Sequence, residues 1–366
     1  MHIARKLRRS PRRAAGALAG VLLLAGLSAC AGAASATGVD ARPQPARSPA
    51  QLLPEARKEG SVVWYTTFAD DDVNHMIAAF QKTYPGIRVK ALRLSADQLP
   101  TRLVTEQRGG KYTADVISAD CEPVYQLIKV GTLAPYAAPQ QMALPPQLRD
   151  LPDGYRNVVY VLTSTIAYNP EAVRKAGLQP PTSLQDLTKP QWRGRFSIDP
   201  SAINWYESLI SSMGHAAALH LVEELGNNDP QLVESHTQSL TQVQSGEPAA
   251  SVNAYGYKAS ALSKKTPTRM AFSNTDPLPS AAALAELANR APHQAAAELF
   301  LDWIMSPAGQ RIVVQVTNHT VLGETAADDK SVWNPAKWKP AWSLPVITAD
   351  TYNRYLTEYQ KALHDG

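Results

Sequence analysis

From Ser61 to Ile304 the chain alternates short β-rich runs with stretches of helical apolar spacing, and that alternation limits the fold more than any other feature. Ser61 to Tyr65 reads as a strand, Val73, Met76, Ile77 and Phe80 mark a helix closed by Tyr84-Pro85-Gly86, and Ile87 to Leu92 reads as the next strand. This is a βαβ unit, so an α/β architecture with largely parallel strands is expected. Further strands are read at Asp115 to Ser118, Phe196 to Ile198, Ala249 to Asn253 and Met270 to Phe272, with a return strand over Leu284 to Leu287. Val158 to Tyr168 is a long β-rich run of the kind that crosses between lobes.

The amino terminus has a separate logic. Arg5, Lys6, Arg8, Arg9, Arg12 and Arg13 precede an apolar stretch from Ala14 to Leu27. At 14 residues that stretch is too short to span a bilayer as a helix, which takes about 20. It ends in Leu27-Ser28-Ala29-Cys30, which resembles the lipobox of bacterial lipoprotein signals. Residues 1–29 are therefore expected to be a signal peptide, Cys30 the lipidated first residue, and 30–50 an Ala/Ser/Pro-rich tether. An ordinary secretory signal cut after Ala29 is the alternative. With residues 1–29 removed, 36 basic residues fall to 30 against 32 acidic, a net charge of −2. The electrostatic argument for a nucleic-acid partner disappears with them. Of two cysteines only Cys121 would remain, so no internal disulfide is available.

In open α/β sheets ligands lie beyond the carboxyl ends of the strands. That rule singles out Thr66, Thr67 and Asp70 to Asp72 after the first strand, and Asp120 after the third. In the second half it singles out Asp199, Ser201 and Asn204, then Tyr255 and Tyr257.

Several words in order give the chain a family resemblance: Val63-Trp64-Tyr65-Thr66-Thr67, Ala79-Phe80-Gln81-Lys82-Thr83-Tyr84-Pro85-Gly86-Ile87, Ala114-Asp115-Val116 and Gly131-Thr132-Leu133-Ala134-Pro135-Tyr136. Thr182-Ser183-Leu184-Gln185-Asp186-Leu187, Trp192-Arg193-Gly194-Arg195, Ser245-Gly246-Glu247 and Ala297 to Ile304 follow. The sequence resembles the extracellular solute-binding proteins of ABC importers, in the branch with the ferric-iron and phosphonate-type binders. The resemblance implies a two-lobed type II periplasmic-binding-protein fold, each lobe a mainly parallel sheet flanked by helices. Lobe 1 is expected over 51–157 and 278–330, lobe 2 over 158–277, and a C-terminal helical cap over 331–366. It also implies an exported, periplasmic or cell-surface monomer, anchored by its lipid, that closes on a small solute and presents it to a permease and its ATPase.

The ligand-binding set expected from strand ends and resemblance together is Thr66, Thr67, Asp120, Ser201, Asn204, Trp205 and Tyr255. Three ligands stay open. The leading expectation is a polar or anionic solute, such as a phosphate ester or phosphonate, on the helix start after Asp199-Pro200-Ser201. Ferric iron is the alternative, with Asp120, Tyr255 and Tyr257 as hard donors, although Gly256 and Ala69 replace two residues of the family pattern. A cationic amine caged by Asp120, Trp205, Tyr206 and Tyr255 is the third. No cofactor is expected, iron being cargo. An exported carboxylate-based hydrolase is the rival class, but Gly-x-Ser-x-Gly, His-Glu-x-x-His and P-loop motifs are absent from the sequence. A binding protein that reports to a receptor would share the same fold and cleft.

Overall fold

The computed structural model describes residues 47–96, 98–139, 152, 154–317, 339–343 and 348–364. Cys30, Trp333 and Trp338 lie outside them, as do the signal segment and most of the tether. Strand β1 (Ser61–Thr66), helix α2 (Asp70–Thr83) and β2 (Arg88–Arg93) form the expected βαβ unit, with β1 and β2 parallel from Ser61↔Arg88 to Thr66↔Arg93. Helix α1 (Pro49–Glu59) precedes them, so helix begins inside the segment read as tether. Ser48 and Gln51 close a capping box on it, and Arg47 pairs with Glu298, which explains why the chain is fixed from there. Asp70 to Asp72 fill the first turn of α2, where Ala69 offers no side-chain cap and acidic charge complements the exposed amides.

On the other side of β1 lies β3 (Val116–Asp120), also parallel. The remaining neighbours make the sheet mixed. The long strand β10 (Leu278–Ala288) pairs antiparallel with both β3 and β5 (Val158–Tyr168). Within β5 the partner changes: Val158 to Thr163 pair with β10, whereas Ser164 to Tyr168 pair with β8 (Ala250–Tyr255). Strand β5 thus leaves one sheet at Thr163 and enters another at Ser164. The second sheet continues with β6 (Phe196–Ile198), parallel to β8, and β7 (Gln231–Leu232).

All eleven residues of β10 are buried, and five of them are alanine. Alanine has little β preference, so only Leu284 to Leu287 read as strand from sequence. Small side chains let α4 (Cys121–Lys129), α6 (Ile203–Met213) and α10 (Gln294–Met305) approach the strand closely.

Lobe 1 has core on both faces of its sheet, as the alternation of β1 requires: Val62 and Trp64 join one cluster with Phe80 and Phe300, and Tyr65 joins the other with Leu99 and Val124. Lobe 2 centres on Phe196, Ile198, Tyr206 and Leu225. The terminal helix α12 (Ala349–His364) belongs to that core and is not a separate cap. Tyr359 is fully buried and stacks on Tyr206 at 5.3 Å. Gly226 in α7 (His215–Asn227) permits this docking, because a side chain there would collide with the Ala362 carbonyl. Before α12, β11 (Pro340–Trp342) pairs with the start of β10, and Trp342 packs in the lobe 1 core.

Candidate functional site

A cavity of about 330 Å³ lies between the lobes, with Asp120 and Glu122 on one side and Asn204, His236 and Tyr255 on the other. Asp120 ends β3 and Tyr255 ends β8, and both line the cavity. Ser201, Asn204 and Trp205 also line the cavity. Trp205 is 2% exposed and sits 6.0 Å from Tyr359, which makes it mainly a wall of the lobe 2 core.

Thr66 and Thr67 are not among the lining residues. Thr66 is fully buried; its hydroxyl lies 2.6 Å from that of Ser118 and accepts from the Phe68 amide at 3.0 Å. The Thr67 amide donates to the Ser118 carbonyl at 3.1 Å. Both threonines therefore tie β1 to β3. Tyr257, in the first turn of α9 (Gly256–Lys265), stacks on Tyr255 at 5.9 Å and does not itself line the cavity.

The helix start at residues 199–204 departs from the anion cradle that the sequence suggests. Asp199 turns its own carboxylate into the loop, where Oδ1 accepts from the Ser201 amide at 2.9 Å and the Ser201 hydroxyl at 2.6 Å. The Ala202 amide donates to the Asp199 carbonyl and the Ile203 amide to the Ser201 carbonyl. An incoming anion would meet a carboxylate and three amides already engaged. Asp199 is held there by Asn253, which accepts from its amide at 3.0 Å, and by the Tyr359 hydroxyl, which donates to its carbonyl at 2.8 Å.

The electrostatics of the walls point the same way. Asp120, Glu122, Asp199 and Glu234 line the cavity, and no Lys or Arg stands among its lining residues. Burial pushes the Asp120 carboxyl up to about 6, against a lowering hydrogen bond from Asn204. Burial also raises Glu122, with Asp120 adding to it. Tyr255 is raised by burial and then by the Asp120 charge, so its phenol holds its proton. His236, which begins α8 (His236–Ser245), packs its ring 3.9 Å from that of Tyr255, and its Nε2 lies 3.6 Å from Asp199 Oδ2. Burial lowers its proton affinity, with Asp199 opposing, which favours neutral imidazole. Sequence reading missed Glu122, which lies inside the first turn of α4, and Glu234 and His236, which follow β7, a strand of two residues with no signal of its own in the sequence. Among the described residues no three His, Cys, Asp or Glu side chains stand arranged to hold a metal ion.

The family model described as bacterial extracellular solute-binding protein matches residues 69–311, from the start of α2 through both crossing strands into helix α11 (Pro307–Thr317). The chain belongs to that family. Among relatives of this solute-binding protein, an Fe(3+)-binding periplasmic protein of Serratia marcescens is 27% identical over 271 residues, covering 70% of this chain and 77% of the relative. Two solved structures share the fold. The periplasmic binding protein AfuA from Actinobacillus pleuropneumoniae, with exogenous fructose-6-phosphate bound, has a TM-score of 0.70 at 19% identity and covers 83% of this chain and 98% of that one. Iron-bound HitA from Pseudomonas aeruginosa has a TM-score of 0.68 at 19% identity, covering 82% and 99%. The solute-binding protein therefore has the two-lobed type II fold of ABC-importer binding proteins, and family and fold alike are those of transport proteins.

Proposed function

We propose that this chain is the exported, Cys30-anchored binding component of an importer and that its cargo is positively charged. One observation carries the reading: four carboxyl side chains and no Lys or Arg line the cleft, while Asp199 occupies the loop that an anion needs. Electrostatic complementarity then selects a cation, and contacts from both lobes make closure depend on it. This replaces the phosphate-ester expectation.

Ferric iron is the second reading, favoured by the stacked Tyr255 and Tyr257 and by the ferric-binding Serratia relative. Asp120, Tyr255 and a rotated Tyr257 are its donors, with carboxylate and phenolate suited to a hard cation. The mature chain given ferric citrate should develop a phenolate-to-iron charge-transfer absorption under this reading, lost in Tyr255→Phe. An organic cation gives no colour but still compacts the protein in small-angle scattering. A radius of gyration unchanged at saturation by every cation that binds would overturn closure.

A further inference from the structure

Glu207 is fully buried on α6, and neither of its carboxyl oxygens has a hydrogen-bond partner. Asn204, Glu207 and Ser208 stand at i, i+3 and i+4, so they share the side of the helix that faces the cavity; Asn204 and Ser208 line it. A buried carboxyl left unpartnered is costly whether ionised or neutral, and an arrangement of this kind calls for an explanation in terms of a missing donor. None of the groups facing it from the surrounding elements is hydrogen-bonded to it. Glu122 on α4 and Asp120 at the end of β3 are acidic, Cys121 is a buried thiol, and Tyr352 on α12 is raised by burial first and then by Glu122, Glu207 and Asp120.

We propose that Glu207, Glu122 and Asp120 form a subsite for the primary ammonium group of a small organic cation, which deepens the cationic-cargo reading and rests on it. An ammonium carries three donors and no acceptor, so it can satisfy carboxyls on three sides at N···O separations of about 2.8 Å. The carbon body of the amine extends into the 330 Å³ cavity, past Leu162 and Ala281 toward the ring of Tyr255. Glu122 both lines the cavity and is the charge that Glu207 senses most after its own burial. Before the amine arrives, burial holds the Glu207 proton up to about 9. The ammonium takes the place of that proton, so uptake of an amine releases about one proton at neutral pH.

Titration calorimetry on the mature chain with putrescine, spermidine and choline, each in buffers of different ionisation heat, tests this. Putrescine or spermidine should bind with proton release, and choline, which has no N–H, at least tenfold more weakly. Glu207→Gln keeps the side-chain volume and should weaken the amine at least tenfold while abolishing the proton release; Glu122→Gln should weaken it as well and serves if Glu207→Gln does not fold. Amine binding and proton release unchanged in both variants would overturn the subsite. Ferric iron binding alike to wild type and Glu207→Gln, with no amine bound, would remove the subsite and leave the cationic reading standing. Binding of anions with neither amine nor iron bound would remove both.

Discussion

Asn204 Nδ2 donates to Asp120 Oδ2 at 2.9 Å, and this contact joins the end of β3 in lobe 1 to the start of α6 in lobe 2. The two residues it joins both line the cavity between the lobes. A hydrogen bond to a charged group contributes about 1.5–3 kcal/mol. Asn204→Ala should therefore shift the ligand-free protein toward open forms, seen as a larger radius of gyration in scattering. An unchanged radius would mean that the contact contributes nothing to closure.

The acidic cluster sets a pH dependence of definite sign. Asp120 is raised from 3.8 to about 6 and Glu207 from 4.5 to about 9, both chiefly by burial. A carboxyl with a raised folded-state value binds its proton more tightly when folded, so its contribution is complete below the unfolded value and is lost as pH rises through the folded one. The ligand-free melting temperature of the wild type should thus decline between about pH 4.5 and 9 relative to Glu207→Gln, and between about pH 4 and 6 relative to Asp120→Asn. Parallel profiles for wild type and both variants would contradict the assignment.

The lobe 1 end of the hinge rests on Asn157 and Glu286, which are both buried. Asn157 precedes β5 and donates to Glu286 of β10 from its amide at 3.0 Å and from Nδ2 at 2.6 Å. Asn157→Leu removes the side-chain donor from a buried carboxyl and should cost about 3 kcal/mol in urea unfolding. A loss under about 0.5 kcal/mol would show that the pair does not anchor the crossing strands.

How far the sequence showed this architecture depended on how local each signal was. Strand β5 and strand β6 match their apolar runs to the residue because β-branched and aromatic side chains state their preference locally. Strand β10 does not, since its alanines acquire strand geometry only from β3 and β5 on either side. Asp120 and Tyr255 were legible as strand ends. Thr66 and Thr67 misled, because a position after a strand does not decide whether a side chain faces the cleft or the neighbouring strand. Glu207 and His236 were illegible, their meaning arising only when α6 and α8 are brought to face lobe 1 or Tyr255. The seat of α12 was equally hidden, for Tyr206 and Tyr359 lie 153 positions apart in the sequence yet stack face to face.

That seat has a measurable consequence. Tyr359 is fully buried, packs on Tyr206 and Trp205, and donates to the Asp199 carbonyl. Tyr359→Ala should destabilise the protein by about 3–5 kcal/mol, as for other large aromatics removed from a core, and should weaken cargo binding through the Asp199 loop. Wild-type stability in that variant would place α12 outside the lobe 2 core.

The central claim is that the cleft selects a positive charge, and a thermal-shift panel of the mature chain sorted by ligand charge tests it most directly. The panel holds putrescine, spermidine and ferric citrate against fructose-6-phosphate, a phosphonate and sulfate. A ligand at 100 times its dissociation constant adds about 2.7 kcal/mol, enough to raise the melting temperature by several degrees. The account predicts that rise for at least one cation, its loss in Asp120→Ala, and no shift with any of the three anions. A rise with fructose-6-phosphate or the phosphonate, and none with any cation, would contradict it.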